Sequence, residues 1–278
     1  MKLTILGSAA AEAVPAIWCP CENCMQARKN GGKDLRMRSA YLLDDDTIID
    51  AGPDLNAQSV RFGICWEKIC QILYTHPHLD HCNPQELTWR LSKFCKVPGK
   101  LELFGSPEVR QKILSEFFRP IADFPPEMQC FFRELTPNVP AEGADLQIMP
   151  LQASHGECPG ALNYLLRRGG HTILIANDTS FWKTEASWKA VENAGIKVAI
   201  LDSTCSYNAP DLDTAHMSAK GVVQFCQELI RRNALAPEAR VIANHFSHNG
   251  GTLQSKLEAF FHPHGIEVGF DGMVIELA

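Results

Sequence analysis

The 278-residue sequence lacks the long apolar runs of membrane proteins and the excess of basic residues typical of nucleic-acid-binding proteins. A membrane-spanning helix needs roughly 18 consecutive apolar residues, and no stretch of the chain reaches that length. The apolar opening breaks at Gly7, so we interpret it as a strand and a loop and not as a signal peptide. Lysine and arginine number 26 against 32 aspartate and glutamate, a formal net charge of −6. We therefore expect no membrane partner, and the charge argues against nucleic acid as a partner.

Internal repeats, charge blocks and low-complexity linkers are also missing from the sequence. The length suits one large α/β domain over residues 1–278, which can bury a sizeable core without disulfides. The oligomeric state stays open at this point, with a homodimer as one option.

Cysteine, by contrast, is abundant. The eleven cysteines are an odd number and do not suggest a disulfide framework in a chain of this size. Several lie in apolar surroundings, where a cysteine usually packs as a small hydrophobic residue. We therefore expect a cytoplasmic protein in a reducing compartment. Cys19, Cys21 and Cys24 stand apart, because they form a C-x-C-x2-C cluster.

Short runs rich in β-branched residues alternate with segments of helical spacing, which predicts an α/β fold. The predicted strands cover residues 3–6, 41–43, 47–49, 69–74, 101–104, 146–149, 163–166, 172–176, 197–201, 241–243 and 273–275. The predicted helices cover residues 84–94, 107–118, 180–194, 218–232 and 252–261. Residues 117–140 are rich in proline and phenylalanine, and we expect a compact irregular insertion or a segment near the mouth of an active site.

The segment His76-Pro77-His78-Leu79-Asp80-His81 follows an apolar strand and precedes a predicted helix. Folds of the α/β class place ligands at such strand-to-helix turns. Three imidazoles and one carboxylate within six residues do not form a core-packing pattern, and these donors suit zinc, manganese or iron. Pro77 keeps His76 extended, so that neighbouring side chains can diverge toward two metals. The segment therefore predicts a metal site.

This string is the hallmark of the metallo-β-lactamase superfamily, which the chain resembles. The resemblance implies an αββα sandwich, in which two mixed β-sheets are flanked by helices. It also implies three further ligands at the carboxyl ends of later strands, and the sequence supplies His155, Asp178 and His245 there. Asp50 matches the early aspartate of the family, which supports the ligands from behind without binding the metals.

Carried over position by position, the resemblance implies two divalent metals, zinc or manganese. One would be bound by His76, His78 and His155, and the other by Asp80, His81 and His245, with Asp178 bridging them. Two metals about 3.5–4 Å apart activate a bridging water, so that the resulting hydroxide attacks the substrate while the metals neutralise developing charge. Asp80 thereby counts as a catalytic residue as well as a ligand.

The cysteine cluster offers a second kind of metal site. Cys19, Cys21 and Cys24 provide three thiolates in a loop at about residues 18–25, and His248 is available as a fourth donor. Four such ligands suit one structural zinc. The alternative interpretation, three reduced cysteines in a loop, stays open.

This pairing of cysteines and histidine, together with residues 3–8 (LTILGS) and 267–273 (EVGFDGM), resembles the phosphoribosyl cyclic phosphodiesterases of the carbon–phosphorus lyase pathway. The resemblance spans nearly the whole chain and implies hydrolysis of a small cyclic phosphate on ribose. The cysteine loop and the GSAA opening also resemble the protein of pyrroloquinoline quinone biosynthesis. In that relative the histidine string is degraded, whereas here it is complete, which favours the phosphodiesterase.

His216 lies just before the predicted helix that starts near Ser218. The phosphodiesterase family places a histidine in this region, where it protonates the departing alkoxide or clamps the phosphate. A poor leaving group benefits from such a general acid. The alternative is a surface histidine at a helix N-terminus. Nucleases that process tRNA 3′ ends have a similar histidine, so His216 indicates phosphodiester chemistry without selecting the substrate.

The resulting prediction is a two-metal hydrolase of a small phosphodiester substrate. One alternative is a tRNA 3′-end processing nuclease, against which the net negative charge stands. Another is a non-catalytic accessory protein like that of quinone-cofactor biosynthesis, against which the complete ligand set stands. The family pattern is matched loosely over residues 205–210 and has no clear counterpart over residues 117–140, so the natural substrate stays open.

Overall fold

Alternation of side chains on the central strands sets the layering of the protein. The computed structural model describes residues 1–117, 119–207, 215–251 and 253–277. On the strand Ile196–Asp202, Val198 and Ile200 face one apolar cluster, while Ala199 and Leu201 face another. Successive side chains of a strand point to opposite faces, so this strand is covered by apolar residues on both sides.

The first sheet joins the N-terminal half of the chain to its last strand. Its members are β1 (Lys2–Gly7), β2 (Ala40–Leu43), β3 (Thr47–Ile49), β4 (Gln71–Leu73), β5 (Leu101–Gly105), β6 (Cys130–Glu134) and β14 (Val274–Glu276). They lie in the order β14-β1-β2-β3-β4-β5-β6. The strands from β3 to β6 run parallel, and the other pairs are antiparallel. The sheet is therefore mixed.

The second sheet is built from the C-terminal half. Its members are β7 (Ala141–Gly143), β8 (Leu146–Gln152), β9 (Leu162–Arg168), β10 (His171–Ala176), β11 (Ile196–Asp202), β12 (Leu235–Asn244) and β13 (Ile266–Val268). They lie in the order β13-β12-β11-β10-β9-β8-β7, antiparallel from β7 to β10 and parallel from β10 to β13.

The described residues form six α-helices. They are α1 (Glu22–Asn30), α2 (Leu55–Phe62), α3 (Pro107–Glu116), α4 (Glu185–Val191), α5 (Ala219–Arg231) and α6 (Gln254–Phe261). All but α1 cover the outer faces of the two sheets. One apolar cluster fills the space between the sheets, a second packs α2 and α3 on the first sheet, and a third packs α4, α5 and α6 on the second. The predicted αββα sandwich of two mixed sheets is confirmed.

Each predicted strand coincides with part of an observed strand, but the sequence pattern misses three others. β6 is an edge strand on which Phe131 is half exposed, so it has no alternating apolar pattern. β7 and β13 have three residues each, too few for a periodic signal. The pattern also misses α1 and α2, because these short helices bury only two residues each.

Two predicted helices are wrong in type or extent. The helix predicted over residues 84–94 is a 3₁₀ helix that covers only Pro84–Arg90. The side chain of Asn83 caps it as expected, by accepting a hydrogen bond from the Gln85 N–H. The helix predicted over residues 180–194 begins only at Glu185, the first residue of α4. Residues 180–184 belong to the loop after β10, where the Ser180 hydroxyl donates to the backbone carbonyl of Ser154. The final residue of the predicted helix 107–118 and the first of 252–261 lie outside the described residues.

The prediction of an irregular insertion over residues 117–140 is wrong in part. The segment contains a 3₁₀ turn, Pro126–Met128, and then β6, which pairs in parallel with β5 along the edge of the first sheet. Met128 is fully buried in the cluster outside that sheet. The prolines therefore shape a crossover between two parallel strands, a connection that the sequence spacing does not reveal; Phe118 lies outside the described residues.

The topology brings several strand ends to one edge of the sandwich. The carboxyl ends of β3 and β4 in the first sheet meet those of β10, β11 and β12 in the second. Parallel strands place their carboxyl ends at the same edge, which is where such folds bind ligands. Within the described part of the chain, no helix combines the length and apolar character needed to cross a membrane.

Candidate metal centre

The shared edge carries polar residues that the sequence singles out. Asp50 follows β3, Asp178 follows β10 and His245 follows β12. All three have a left-handed backbone, with φ of 63°, 47° and 61° respectively. This conformation is uncommon for residues with a Cβ, and it is found most often at functional sites. At these three positions it turns the backbone away from the strand direction and so changes where the side chain points.

His76, His78 and His155 form what we call the first subsite. Nε2 of His155 lies 3.1 Å from Nδ1 of His78. Nδ1 of His155 donates to the carbonyl of Ala215 at 3.2 Å, so the neutral ring presents Nε2 as a lone pair. Nδ1 of His76 shares a hydrogen bond with Thr75 Oγ1 at 3.0 Å, while its buried Nε2 has no hydrogen-bond partner among the described residues. Converging lone pairs of this kind suit a cation.

Asp80, His81 and His245 form what we call the second subsite. Nε2 of His81 lies 3.0 Å from Oδ2 of Asp80 and 3.2 Å from Nε2 of His245. Behind the rings, Nδ1 of His81 donates to Asp50 at 2.6 Å, and Nδ1 of His245 shares a hydrogen bond with Thr204 Oγ1 at 2.8 Å. Hydrogen bonds at the far nitrogen fix the orientation of an imidazole, so both Nε2 atoms are aimed at the same point.

Asp178 lies between the two subsites. Its Oδ2 is 2.8 Å from Nε2 of His81 and 2.9 Å from Nε2 of His245, and its Oδ1 is 3.8 Å from Nε2 of His155. Oδ2 is buried and makes no hydrogen bond of acceptable geometry to any described residue. One carboxylate therefore faces residues of both subsites, as the family resemblance implies for a bridging residue.

Burial and charge act in opposite directions within the centre. Burial, and next to it His81, lowers the pKa of His76 well below its ordinary value. Burial also acts to lower the pKa of His81, but Asp178 and Asp80 raise it well above its ordinary value. Burial acts to raise the pKa of Asp178, but His245 and His81 hold it well below its ordinary value. The imidazole of His76 is thus held neutral, whereas negative charge dominates around His81.

The donor set fits two divalent cations. Asp50, Asp80 and Asp178 bring three buried carboxylates into a cluster of imidazoles. Buried negative charge is costly unless it is compensated, and imidazole nitrogens with carboxylate oxygens suit zinc or manganese. In each subsite the candidate ligand atoms lie within 4.8 Å of one another. All seven residues that the resemblance implies as ligands are therefore brought together.

Asp202 belongs to the same centre and is missed by the sequence analysis. It is fully buried at the end of β11, where its Oδ1 accepts from the backbone N–H groups of Thr204 (2.9 Å) and Met217 (3.1 Å). Its Oδ2 accepts from Thr204 Oγ1 at 3.1 Å and from Nδ1 of His216 at 3.0 Å. The available signal was its position, since β11 ends in an aspartate at the same edge as β10 and β12.

His216 also lies at this centre and is not a free surface histidine. Its ring centroid is 4.8 Å from that of His155 and 6.0 Å from that of His245, and its side chain is 24% exposed. Burial acts to lower the pKa of His216, but the Asp202 carboxylate raises it to about 9. The residues just before it, 208–214, lie outside the described residues, and they include part of the stretch 205–210 where the family pattern is loose.

The cysteine cluster is also assembled by the fold. Donor atoms of Cys19, Cys21, Cys24 and His248 lie within 4.8 Å of one another, with Cys21 Sγ 3.7 Å from Nδ1 of His248. His248, followed by the Cys24 backbone N–H, lowers the pKa of Cys21 to about 6. Burial raises the pKa of Cys24 to about 11. Three sulfurs and one imidazole nitrogen match the donors of a structural zinc.

The sequence and the fold were compared with known proteins. A family model described as a beta-lactamase superfamily domain matches residues 47–246. An octanoyltransferase from Porphyromonas gingivalis is 30% identical over 168 residues, which are 57% of this chain and 32% of that protein. The chain thus matches about a third of the length of that relative.

Two solved structures share the fold over essentially their whole length. A diphosphatase of the PhnP family is 24% identical with a TM-score of 0.75, covering 100% of this chain and 98% of its own. Zinc-bound PqqB from Methylobacterium extorquens is 16% identical with a TM-score of 0.71, covering 100% of both chains. At these identities the likeness concerns the fold.

The close approach of Gly52 to the histidine-rich loop leads to a stability prediction. A Cβ at Gly52 would lie 1.9 Å from the backbone carbonyl oxygen of Asp80. We expect Gly52→Ala to lower the free energy of unfolding by about 1–3 kcal/mol, the usual cost of overpacking, because a backbone atom must move. Urea denaturation measures this. Gly221→Ala in α5, where the new Cβ meets only side chains, is the control; equal midpoints for both variants would contradict the prediction.

Proposed function

The chain belongs to the β-lactamase superfamily, and from that premise we propose that it is a two-metal hydrolase of phosphodiesters. The proposed substrate is a small cyclic phosphate, such as a phosphoribosyl cyclic phosphate. The observation that carries the proposal is the convergence of seven donor residues with the His216–Asp202 pair at one edge of the sandwich. A proton donor beside a site for two cations would supply what cleavage of a phosphate ester from a poor leaving group requires, and this supports the proposal.

In this proposal the first subsite (His76, His78 and His155) holds one cation and the second subsite (Asp80, His81 and His245) holds the other, with Asp178 shared. Two such cations would lower the pKa of a bound water and neutralise the charge that develops on the attacked phosphate. The chain contributes rigid ligands, because Asp50 holds His81 and Thr204 holds His245 through their outer nitrogens.

His216 is the proposed general acid. Nδ1 donates to Asp202, so the opposite ring nitrogen is free to carry the transferable proton. Against the opposing effect of burial, the Asp202 carboxylate raises the pKa of His216 to about 9 and so favours the protonated imidazole. An alkoxide of ribose is a poor leaving group and needs that proton as the P–O bond breaks. Asp202 then stabilises the charged imidazole and fixes the direction in which the ring presents its proton.

We also propose that Cys19, Cys21, Cys24 and His248 bind a structural zinc. Such a site would attach the N-terminal loop to the turn His248–Gly250, which follows His245 of the second subsite. All eleven cysteines are free in the structure, which supports a cytoplasmic location, where thiols stay reduced.

The first test of the proposal is a substrate panel. Protein loaded with zinc or manganese is expected to hydrolyse bis-p-nitrophenyl phosphate and ribose cyclic phosphates. Asp80→Asn removes a charged ligand and is expected to lower the rate more than about 100-fold, beyond the usual cost of losing a supporting residue. Asp45→Asn, which alters a half-exposed carboxylate paired with Lys68, is the matched control. Turnover of tRNA or of an octanoyl thioester without turnover of any small phosphodiester would overturn the proposal.

The role of His216 is tested by varying the leaving group. His216→Asn is expected to slow hydrolysis of a ribose cyclic phosphate by about 10²–10⁴-fold, because the alkoxide then leaves unprotonated. The same variant should change the rate by less than about tenfold when the leaving group is p-nitrophenolate, which needs no acid. Asp202→Asn should change the rate on each substrate in the same direction as His216→Asn does. His264→Asn, which alters an exposed histidine, should change neither rate. Equal losses on both substrates would assign His216 to binding instead.

Metal analysis tests the structural zinc. Wild-type protein is expected to contain about three metals per chain, of which two exchange readily, whereas Cys21→Ser should contain about two. Cys21→Ser should affect the melting temperature more than the rate at saturating substrate, because the cluster stabilises a loop and does not contact the reacting groups. Cys65→Ser, at an exposed cysteine, is the control. Two metals in both wild type and Cys21→Ser would contradict the assignment.

A further inference from the structure

A tyrosine hydroxyl lies beneath the metal centre, between the two sheets. Tyr41 is on β2 of the first sheet and is fully buried in the cluster between the sheets. Its hydroxyl is hydrogen-bonded to the side-chain amide of Asn177 and, at 2.8 Å, to that of Asn244. Both asparagines belong to the second sheet, where Asn177 follows β10 and Asn244 ends β12. One hydroxyl therefore connects the first sheet to two strands of the second.

The two asparagines directly precede metal-centre residues. Asn177 is followed by Asp178 and Asn244 by His245, and each of these followers has the left-handed backbone described above. Such a conformation persists only where the surroundings enforce it. An anchored side chain one residue earlier limits the rotation of the strand end, so the Tyr41 contacts bear directly on where Asp178 and His245 point.

Tyr41 is the main polar anchor of both amides. Within the described part of the chain, the side chains of Asn177 and Asn244 hydrogen-bond to the Tyr41 hydroxyl alone, and the Oδ1 atom of each lacks a partner. The side chain of Asn244 packs directly against Gly269, where a Cβ would lie 2.3 Å from Asn244 Oδ1. Buried amides with so few partners depend strongly on the one they have. Burial raises the pKa of Tyr41, so its hydroxyl stays protonated.

The first sheet contributes the other half of the second subsite. Tyr41 pairs with Ile49 on β3, and the next residue, Asp50, holds Nδ1 of His81 at 2.6 Å. His81 must then meet Asp178 and His245, which come from the second sheet, at 2.8 Å and 3.2 Å. The second subsite is thus formed by residues of both sheets. The distances between its ligand atoms therefore depend on how far apart the two sheets lie at Tyr41.

We propose that the Tyr41 hydroxyl is a positioning group that sets the geometry, and with it the metal affinity, of the second subsite. Removing it should weaken the metal bound by Asp80, His81 and His245 more than the metal bound by the first subsite. This inference rests on the proposed metal centre but not on the identity of the substrate.

The experiment is zinc refilling of metal-free protein against graded concentrations of a chelator. Loss of one binding step in His245→Ala identifies the step that belongs to the second subsite. Tyr41→Phe is expected to weaken that step about tenfold or more, the usual effect of losing a group that orients a ligand, and to leave the step of the first subsite unchanged.

Tyr164→Phe is the matched control, because it removes another fully buried tyrosine hydroxyl that connects the two sheets. That hydroxyl donates to the backbone carbonyl of Tyr74. The next residue, Thr75, is independently held by Asp50 through its N–H at 2.8 Å and its hydroxyl at 2.9 Å. We therefore expect Tyr164→Phe to lower the melting temperature without changing the zinc affinity of the first or the second subsite.

A lower melting temperature in both variants with unchanged zinc steps would show that Tyr41 serves stability alone and would overturn the inference. Should Tyr41→Phe fail to fold, Asn244→Ala removes the other end of one bond and must weaken the same step. When both single variants fold, the loss of zinc affinity in the double variant should not exceed the larger single loss, because both changes remove one shared contact. Absence of the second-subsite step in wild type would end the metal centre and this inference together, whereas tight zinc binding without phosphodiester turnover would end the proposed reaction alone.

Discussion

Three carboxylates are buried together at one edge of the sandwich, and the surrounding strand ends are arranged around their negative charge. Asp50, Asp80 and Asp178 are each no more than 9% exposed, and imidazole lone pairs converge on the same small volume. A group of this kind would be strongly unfavourable in a low-dielectric interior without compensation. The two proposed divalent cations would offset this charge, and hydrogen bonds at Thr75, Thr204 and Asp50 orient the rings toward the positions that the cations would take.

The two sheets divide the work of holding this charge. The first sheet supplies the histidine-rich turn after β4 and the supporting Asp50, while the second supplies His155, Asp178 and His245 from three strand ends. Neither sheet alone contains a complete subsite, because the first subsite needs His155 and the second needs His245. Packing between the sheets is therefore part of the site, which explains why a hydroxyl as remote from the reaction as that of Tyr41 is placed where it can control ligand geometry.

The helical and strand predictions succeeded where a segment carries its own periodic pattern. α5 was recognised because Val222, Phe225 and Leu229 recur on one face, and they do pack on the second sheet. The pattern failed for α1, whose nine residues bury only Cys24 and Ala27, and for β6, whose pairing with β5 depends on a partner about thirty residues away. Residues 84–90 carry the capping signals of a helix, but they wind as a 3₁₀ helix that packs beside α3, and the sequence pattern does not distinguish the two kinds of helix.

Chemistry that is local in the chain can be recognised from the order of the amino acids. Six consecutive residues from His76 to His81 hold three imidazoles and a carboxylate, and the resemblance that they carry to the metallo-β-lactamase superfamily implies the remaining ligand set. Only the tertiary structure shows which groups position those side chains without binding a metal themselves. Asp202 resembles any strand-terminal aspartate until the fold sets it 3.0 Å from His216, and Tyr41 resembles any core tyrosine until the second sheet brings two asparagines to its hydroxyl. The physical reason is that hydrogen bonds act over about 3 Å, and sequence separation does not report distances of that kind between strands of different sheets.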